Sequence, residues 1–259
     1  MKFLDEVSEQ GVTERRFALE VAGERIPGIL WHPTGAQGPR PLLLQGHGGT
    51  QNKRVPNILS LARRMVRHHG YAVAAIDAPS HGDRRTPEEV EAQRERRRTG
   101  GSVPRLEALS DEQRKQMAQR SQKAVGEWKA TLDALQRIDD IGDQLPVGYW
   151  GVSMGTATGV PFVAAEPRIK CAILGLLGTR PGDEFAQTAQ RIEIPLLFMF
   201  QLNDELMTPT AGLALFDAFG SKVKSMHINP GPHIGIPGFE TDYFETFYTR
   251  HLGSAKVAL

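Results

Sequence analysis

Ser153 lies between two glycines in the run GVSMG, Gly151 to Gly155, directly after the apolar stretch from Val147 to Val152. A serine hydroxyl attacks a carbonyl only when a neighbouring base takes its proton, and histidine suits that task near neutral pH. A strand that turns at once into a helix holds its turning residue in a strained conformation, where Cβ atoms two positions away would collide. Glycines remove those atoms. The hydroxyl is then pushed out at the carboxyl edge of the sheet. There it meets a helix N-terminus, whose unpaired N–H groups favour developing negative charge. The same pentapeptide also suits a plain tight turn, so its partners decide.

Eight histidines are present. His233, in NPGPHIGIPG, follows the last apolar run in a Gly/Pro loop, and no helix or strand periodicity accounts for it. His47 and His81 sit in glycine loops and read as loop architecture, while His68 and His69 end a helical pattern, where a partly cationic ring meets the helix dipole favourably. His227 lies inside KSMHIN and reads as a packed strand residue. An imidazole base needs an acid to hold its tautomer. Asp204 ends PLLFMFQLND, and Asp183, in GTRPGDEF, is its rival from the preceding loop. No His/Cys/carboxylate run has metal-ligand spacing and no GxGxxG or GxxxxGK[ST] pattern occurs, so neither metal nor cofactor is expected.

The elements that must position these groups follow from hydrophobic periodicity. Phe17, Leu19 and Val21 alternate with polar residues and, with Ile26 to Trp31 after the Gly23 turn, predict an antiparallel hairpin. Near-continuous apolar runs follow, PLLLQG, YAVAAID, PVGYWGV, IKCAILG, IPLLFMFQ and KSMHIN, alternating with amphipathic helices such as Pro56 to His69, which Gly70 ends. That grammar predicts an α/β fold with a mostly parallel sheet covered on both faces, as one domain over 1–259. An arginine-rich segment, 84–120, interrupts it as a helical, lid-like insertion. Its inner apolar positions would be Val103, Leu106, Leu109 and Met117, and its arginines would face water or a partner subunit, as in a homodimer. Ion pairs between neighbouring Glu and Arg explain its charges equally well. Arg84 or Arg85 could alternatively clamp a substrate carboxylate.

Lys plus Arg number 31 against 30 Asp plus Glu, a net charge of +1, so nothing global points to nucleic acid or an anionic membrane. The start, MKFLDEVSEQG, is not a signal peptide, no apolar run approaches a membrane span, and the single Cys171 sits in an apolar run. A soluble, cytoplasmic protein is expected.

The order Ser153, Asp204, His233, with HGGT after an early strand, resembles the α/β-hydrolase family, closest to dienelactone-hydrolase-like and bacterial carboxylesterase branches. The resemblance rests on QGHGG, DAPSHGD, GVSMG, QLNDELMTP and GPHIG and covers the chain beyond its leading hairpin. It implies a cofactor-independent serine hydrolase of carboxylic esters with Ser153 as nucleophile, His233 as base and acid, and Asp204 as orienter. The N–H groups of Gly49 and Met154 would form the oxyanion hole. Phe185, Leu206, Met207, Ile234 and Ile236 are expected to line an apolar substrate pocket. A thioesterase, peptidase, C–C hydrolase or acyltransferase, or a non-catalytic ligand-binding protein on the same fold, remain open alternatives.

Overall fold

The computed structural model describes residues 1–99 and 110–255. Three antiparallel strands open the chain, β1 (Lys2–Glu9), β2 (Val12–Val21) and β3 (Glu24–Pro33). Their turns, Gln10-Gly11 and Ala22-Gly23, have positive φ at both residues, from 49° to 80°, which matches the twist of a two-residue hairpin. Only the β2–β3 pair was expected. β1 is exposed along almost its whole length, so it carries no apolar alternation to read. Its charges pair across the strands instead: Glu6 faces Arg15 and Asp5 faces Arg16 in register, each as an ion pair. A charged edge of this kind also resists pairing with other chains.

The remaining strands are β4 (Leu42–Gly46), β5 (Ala72–Ile76), β6 (Val147–Val152), β7 (Ile169–Gly175), β8 (Leu196–Gln201) and β9 (Lys224–Asn229). They run parallel to one another in the order β5-β4-β6-β7-β8-β9, and β5 joins β3 antiparallel, giving one sheet ordered β1-β2-β3-β5-β4-β6-β7-β8-β9. From β4 the chain steps outward to β5 and then crosses back to β6 on the other side. Such a reversal opens a crevice at the carboxyl ends of the flanking strands.

Alternate residues feed two apolar layers. Leu43, Val73, Ala75, Trp150 and Cys171 face α1 (Pro56–His69), through Ile58, Leu61 and Met65, and α7 (Glu240–Leu252), through Phe244, Tyr248 and Leu252. Leu42, Leu44, Ala74, Tyr149 and Leu174 face the other layer. Its helices are α3 (Asp111–Leu135), α4 (Met154–Ala165), α5 (Glu184–Gln190) and α6 (Pro209–Ala218), and Trp128, Leu132, Phe162 and Leu215 fill it. Each fully buried side chain of this size contributes about 1.5–3 kcal/mol. Burial in this core pushes the Cys171 thiol pKa upward, which keeps it an inert apolar group.

The arginine-rich segment contributes α2 (Pro87–Arg98), which starts on a Thr86–Glu89 capping box and carries Glu91–Arg94 and Glu95–Arg98 pairs on its exposed face. The helix α3 begins on a second box, Ser110–Gln113, and runs unbroken past position 120 into its buried half. The segment therefore shares a helix with the core. Val103, Leu106 and Leu109 lie outside the described residues.

Candidate active site

The last residue of β6 is Val152, and Ser153 follows it with φ 57° and ψ −118°, a conformation that L-residues rarely adopt. Several bonds hold it there. The Ser153 N–H donates to the Gly175 carbonyl at 2.8 Å, and the Thr156 hydroxyl bridges the Gly151 and Gly175 carbonyls and the Gly175 N–H at 2.6–2.8 Å. The flanking glycines are sterically required. A Cβ on Gly151 would meet the Gly155 carbonyl at 2.7 Å, and one on Gly155 would meet the Gly46 oxygen at 2.4 Å. In α4, Pro161 cannot donate to the Ala157 carbonyl one turn earlier, and the Ser121 hydroxyl of α3 takes that bond at 2.9 Å.

His233 and Asp204 come from the loops after β9 and β8. These loops are stitched together: the Asn203 N–H donates to the Gly231 carbonyl and the Gly231 N–H to Asn203 Oδ1, both at 3.1 Å. The Glu205 carboxylate accepts the His233 N–H at 2.9 Å. Below them, the buried Glu240 at the start of α7 holds His227 and Asn229 of β9 at 2.8 and 2.7 Å. His227 thus serves the frame of the loop.

The result is a continuous chain of hydrogen bonds. Asp204 Oδ2 lies 2.7 Å from His233 Nδ1, and His233 Nε2 lies 2.8 Å from Ser153 Oγ. An ionised carboxylate only accepts, so Nδ1 carries the proton and Nε2 is left to accept from the serine. The second oxygen of Asp204 accepts the Leu206 N–H at 2.8 Å. Both the Asp204 and His233 side chains are buried, while Ser153 is half-exposed. The rival Asp183 is engaged elsewhere, capping α5 through the Ala186 N–H and binding the Thr179 hydroxyl.

Beside Ser153, the HGGT loop turns on itself. The Gly48 N–H donates to Gln51 and its carbonyl accepts from the Gln51 N–H and from His47 Nδ1. His47 Nε2 accepts the Ala78 N–H at 3.0 Å, so the ring is a neutral tautomer bridging two loops, and burial pushes its pKa down to about 4. Among the described residues the N–H groups of Gly49 and Met154 have no acceptor. An inner strut backs this loop. The Asp77 carboxylate accepts from the Lys53 ammonium at 2.5 Å, the Lys53 N–H and the Asp83 N–H, with the Lys53 and Asp77 side chains buried and Asp83 exposed. Sequence reasoning missed this strut, because Lys53 carried no local signal.

Three expectations need correction. Arg84 is no substrate clamp: both its terminal nitrogens bind Glu127, at 2.6 and 2.8 Å, and one also binds Glu24. Its side chain is only 7% exposed. Ile234 is 83% exposed, so it stands on the surface rather than in an enclosed pocket, and the Leu206 N–H donates to Asp204 Oδ1. Ile236 packs against the α1/α7 core. By contrast, Phe185 and Met207 line a cavity of about 470 Å³ between α3, α4, α5 and the start of α6, together with Met117, Ala157, Pro161 and Leu177. Lys115, Thr179 and Arg180 add polar groups to that lining. Among the described residues, no helix is long and apolar enough to cross a membrane.

No family model matches the chain, and no curated protein matches it. Solved structures do. A cold-adapted esterase from an Arctic intertidal metagenomic library, solved with polyethylene glycol bound, is 31% identical over 97% of this chain and 100% of its own, with a TM-score of 0.78. An acetyl xylan esterase from Paenibacillus sp. R4 shares 16% identity over 97% of this chain and 88% of its own, TM-score 0.70. Est1E from Butyrivibrio proteoclasticus, with ferulic acid bound, shares 14% over 92% and 100%, TM-score 0.68. These last two show the shared fold alone. The first, matched along nearly the whole of both chains, establishes together with the mostly parallel sheet that this chain belongs to the α/β-hydrolase family, among its carboxylesterases.

Proposed function

We propose that the chain is a serine hydrolase that cleaves carboxylic esters through an acyl-enzyme. The observation that carries this reading is the unbroken Asp204–His233–Ser153 hydrogen-bond chain, 2.7 and 2.8 Å long, ending on a half-exposed hydroxyl. Ser153 Oγ attacks the acyl carbon as its proton passes to His233 Nε2, and Asp204 stabilises the imidazolium that forms. The Gly49 and Met154 N–H groups receive the oxyanion, a role supported by their having no acceptor among the described residues. His233 then protonates the departing alcohol. A water deprotonated by His233 attacks the acyl-serine, and the acid leaves as Ser153 recovers its proton.

In this reading substrate selection falls to the cavity lined by Phe185, Met207, Met117, Leu177 and Pro161, which reaches the elbow helix α4 at Ala157 without including Ser153 in its walls and whose apolar lining suits an uncharged acyl or alcohol group. The esterase character of the 31%-identical relative supports the ester over an amide or thioester. The test is a screen of p-nitrophenyl esters of graded chain length beside matched amides and thioesters, with wild type and Ser153→Ala. Esters should be preferred. The variant should keep its melting temperature and lose at least about 10⁴-fold in kcat, the scale of losing a triad nucleophile. Turnover by Ser153→Ala within tenfold of wild type would remove the assignment. So would failure of wild type to label with a fluorophosphonate.

A further inference from the structure

A second group of donor atoms lies away from Ser153, where the end of α1 meets α7. His68 and His69 are the last residues of α1, and the left-handed Gly70 turns the chain directly after them. His68 Nδ1 and His69 Nε2 lie 3.0 and 2.9 Å from one and the same atom, Oε2 of Glu245. Neighbouring residues on a helix normally face different ways. Here one ring offers its near nitrogen and the other its far nitrogen, so both reach the carboxylate. The three donor atoms all lie within 4.8 Å of one another.

The frame around them is fixed. The Tyr71 hydroxyl donates to the Tyr248 carbonyl at 3.2 Å, and the Ala255 N–H donates to the His69 carbonyl at 3.1 Å. The Glu245 side chain is 9% exposed, that of His69 22% and that of His68 51%, so the cluster is a buried carboxylate with one open side. The other carboxylate oxygen, Oε1, accepts from Arg64, which also binds Asp242 at 2.5 Å.

We propose that His68, His69 and Glu245 form a binding site for a divalent transition-metal ion, zinc being the ion whose chemistry fits best. Two imidazole nitrogens and one carboxylate oxygen are a common zinc donor set, and metal–ligand distances of about 2.0–2.2 Å in a tetrahedron put ligand atoms about 3.3 Å apart. The two nitrogen–Oε2 contacts need to open by a few tenths of an ångström, and the two ring nitrogens, within 4.8 Å of one another, need to close toward that spacing by turns of the half-exposed His68 ring. The exposed side of His68 leaves the fourth position to water. Arg64 holds Oε1 and so directs Oε2 to the ion, as outer partners of ligating carboxylates do. Its charge opposes the cation, and the carboxylate of Asp242 offsets it. To ligate, each ring turns the lone pair of the nitrogen that faces Oε2 to the ion and carries its proton on the opposite ring nitrogen, any surplus proton passing to water, so no co-reactant is needed. Hard ions such as magnesium, which select oxygen ligands, are excluded by the donor set. Sequence spacing could not reveal this site, because Glu245 lies 176 residues beyond His69.

The test uses zinc chloride as probe, with melting temperature and calorimetric titration as readouts, on the full chain. Wild type treated with chelator and then given free zinc at about 100-fold its Kd should melt about 5 °C or more higher, and magnesium should not change it. His68→Ala, which alters a half-exposed side chain, should keep wild-type ester hydrolysis and lose most of the zinc-dependent rise, with affinity at least tenfold weaker. A His233→Ala variant should keep the rise. No rise in wild type, an equal rise in His68→Ala, or loss of the rise in His233→Ala would each overturn the proposal, the last by placing the ion at the reactive histidine.

Discussion

Replacing Asp204 with Asn changes one atom, and the surrounding donors dictate which way the new amide turns. The Leu206 N–H, 2.8 Å from Oδ1, requires an acceptor there. The amide therefore settles with its oxygen toward Leu206 and its NH₂ toward His233 Nδ1, where Oδ2 now sits at 2.7 Å. An NH₂ group donates, so Nδ1 must accept and the ring proton moves to Nε2. That nitrogen then donates to Ser153 Oγ and can no longer take its proton.

The flipped amide would restore the correct tautomer, but it would set the NH₂ against the Leu206 N–H with the side chain wholly buried. Two opposed buried donors cost about 1–3 kcal/mol, which leaves about one molecule in six to one in 150 flipped. A neutral amide also stabilises the imidazolium less than a carboxylate. The expected outcome is a fall in kcat of about 10²–10⁴ with little change in KM, read by steady-state hydrolysis of a short p-nitrophenyl ester. Asp183→Asn is the control. It weakens the cap of α5 and the bonds from Thr179 and the Arg180 N–H, and should cost up to about 1 kcal/mol in stability while leaving kcat within about threefold. Asp204→Asn turning over within threefold of wild type, or Asp183→Asn losing more, would refute the tautomer reasoning.

Other perturbations probe the frame. Gly155→Ala would drive a methyl to within 2.4 Å of the Gly46 oxygen, so it should cost about 1–3 kcal/mol in a denaturant melt and also lower kcat, as the elbow and the HGGT loop part. Arg84→Met leaves the buried Glu127 without its cation and should destabilise by about 3–5 kcal/mol, with KM of any folded enzyme unchanged for neutral esters. His47 is held neutral by burial, its pKa down from 6.5 to about 4. A depressed histidine contributes stability that is complete above the unfolded value and lost as pH falls from about 6.5 to about 4, on the order of 3 kcal/mol. His47→Gln should flatten that part of a pH-stability profile measured by urea unfolding.

The groups easiest to read from the sequence lie where a strand ends. The parallel strands β4 to β8 are buried on both faces almost throughout and so read as apolar runs, whose ends are marked by the first polar or glycine residues, while β9 at the sheet edge is half-exposed. Ser153 and Asp204 stand just beyond such runs, and His233 is marked instead by the Gly/Pro loop that follows β9. The residues that hold them were harder to see. Lys53 reaches Asp77 and Arg84 reaches Glu127 only through tertiary packing, and both look like ordinary surface cations in one dimension. The strand β1 escaped because an exposed edge strand has no buried face to impose alternation. Ile234 was misplaced for a related reason: an apolar residue in a loop next to His233 carries no information about which way it points.

Why a site of this kind needs so much supporting structure is explained by the contact between β4 and α4. Gly155 lies so close to the Gly46 oxygen that no side chain fits between them, and Tyr149 donates its hydroxyl to the Gly155 carbonyl from below at 2.8 Å. Burial drives the Tyr149 pKa upward, so this donor stays protonated. The two N–H groups proposed for the oxyanion come from opposite sides of this contact, Gly49 from the loop after β4 and Met154 from the first residue of α4. Their separation is thus set by backbone meeting backbone, which has almost no freedom to relax, rather than by flexible side chains. A site that stabilises charge as it develops works only if its donors are already in place. The glycine that permits the contact is therefore a requirement of the chemistry as much as of the turn, and a substitution there should harm catalysis before it unfolds the chain.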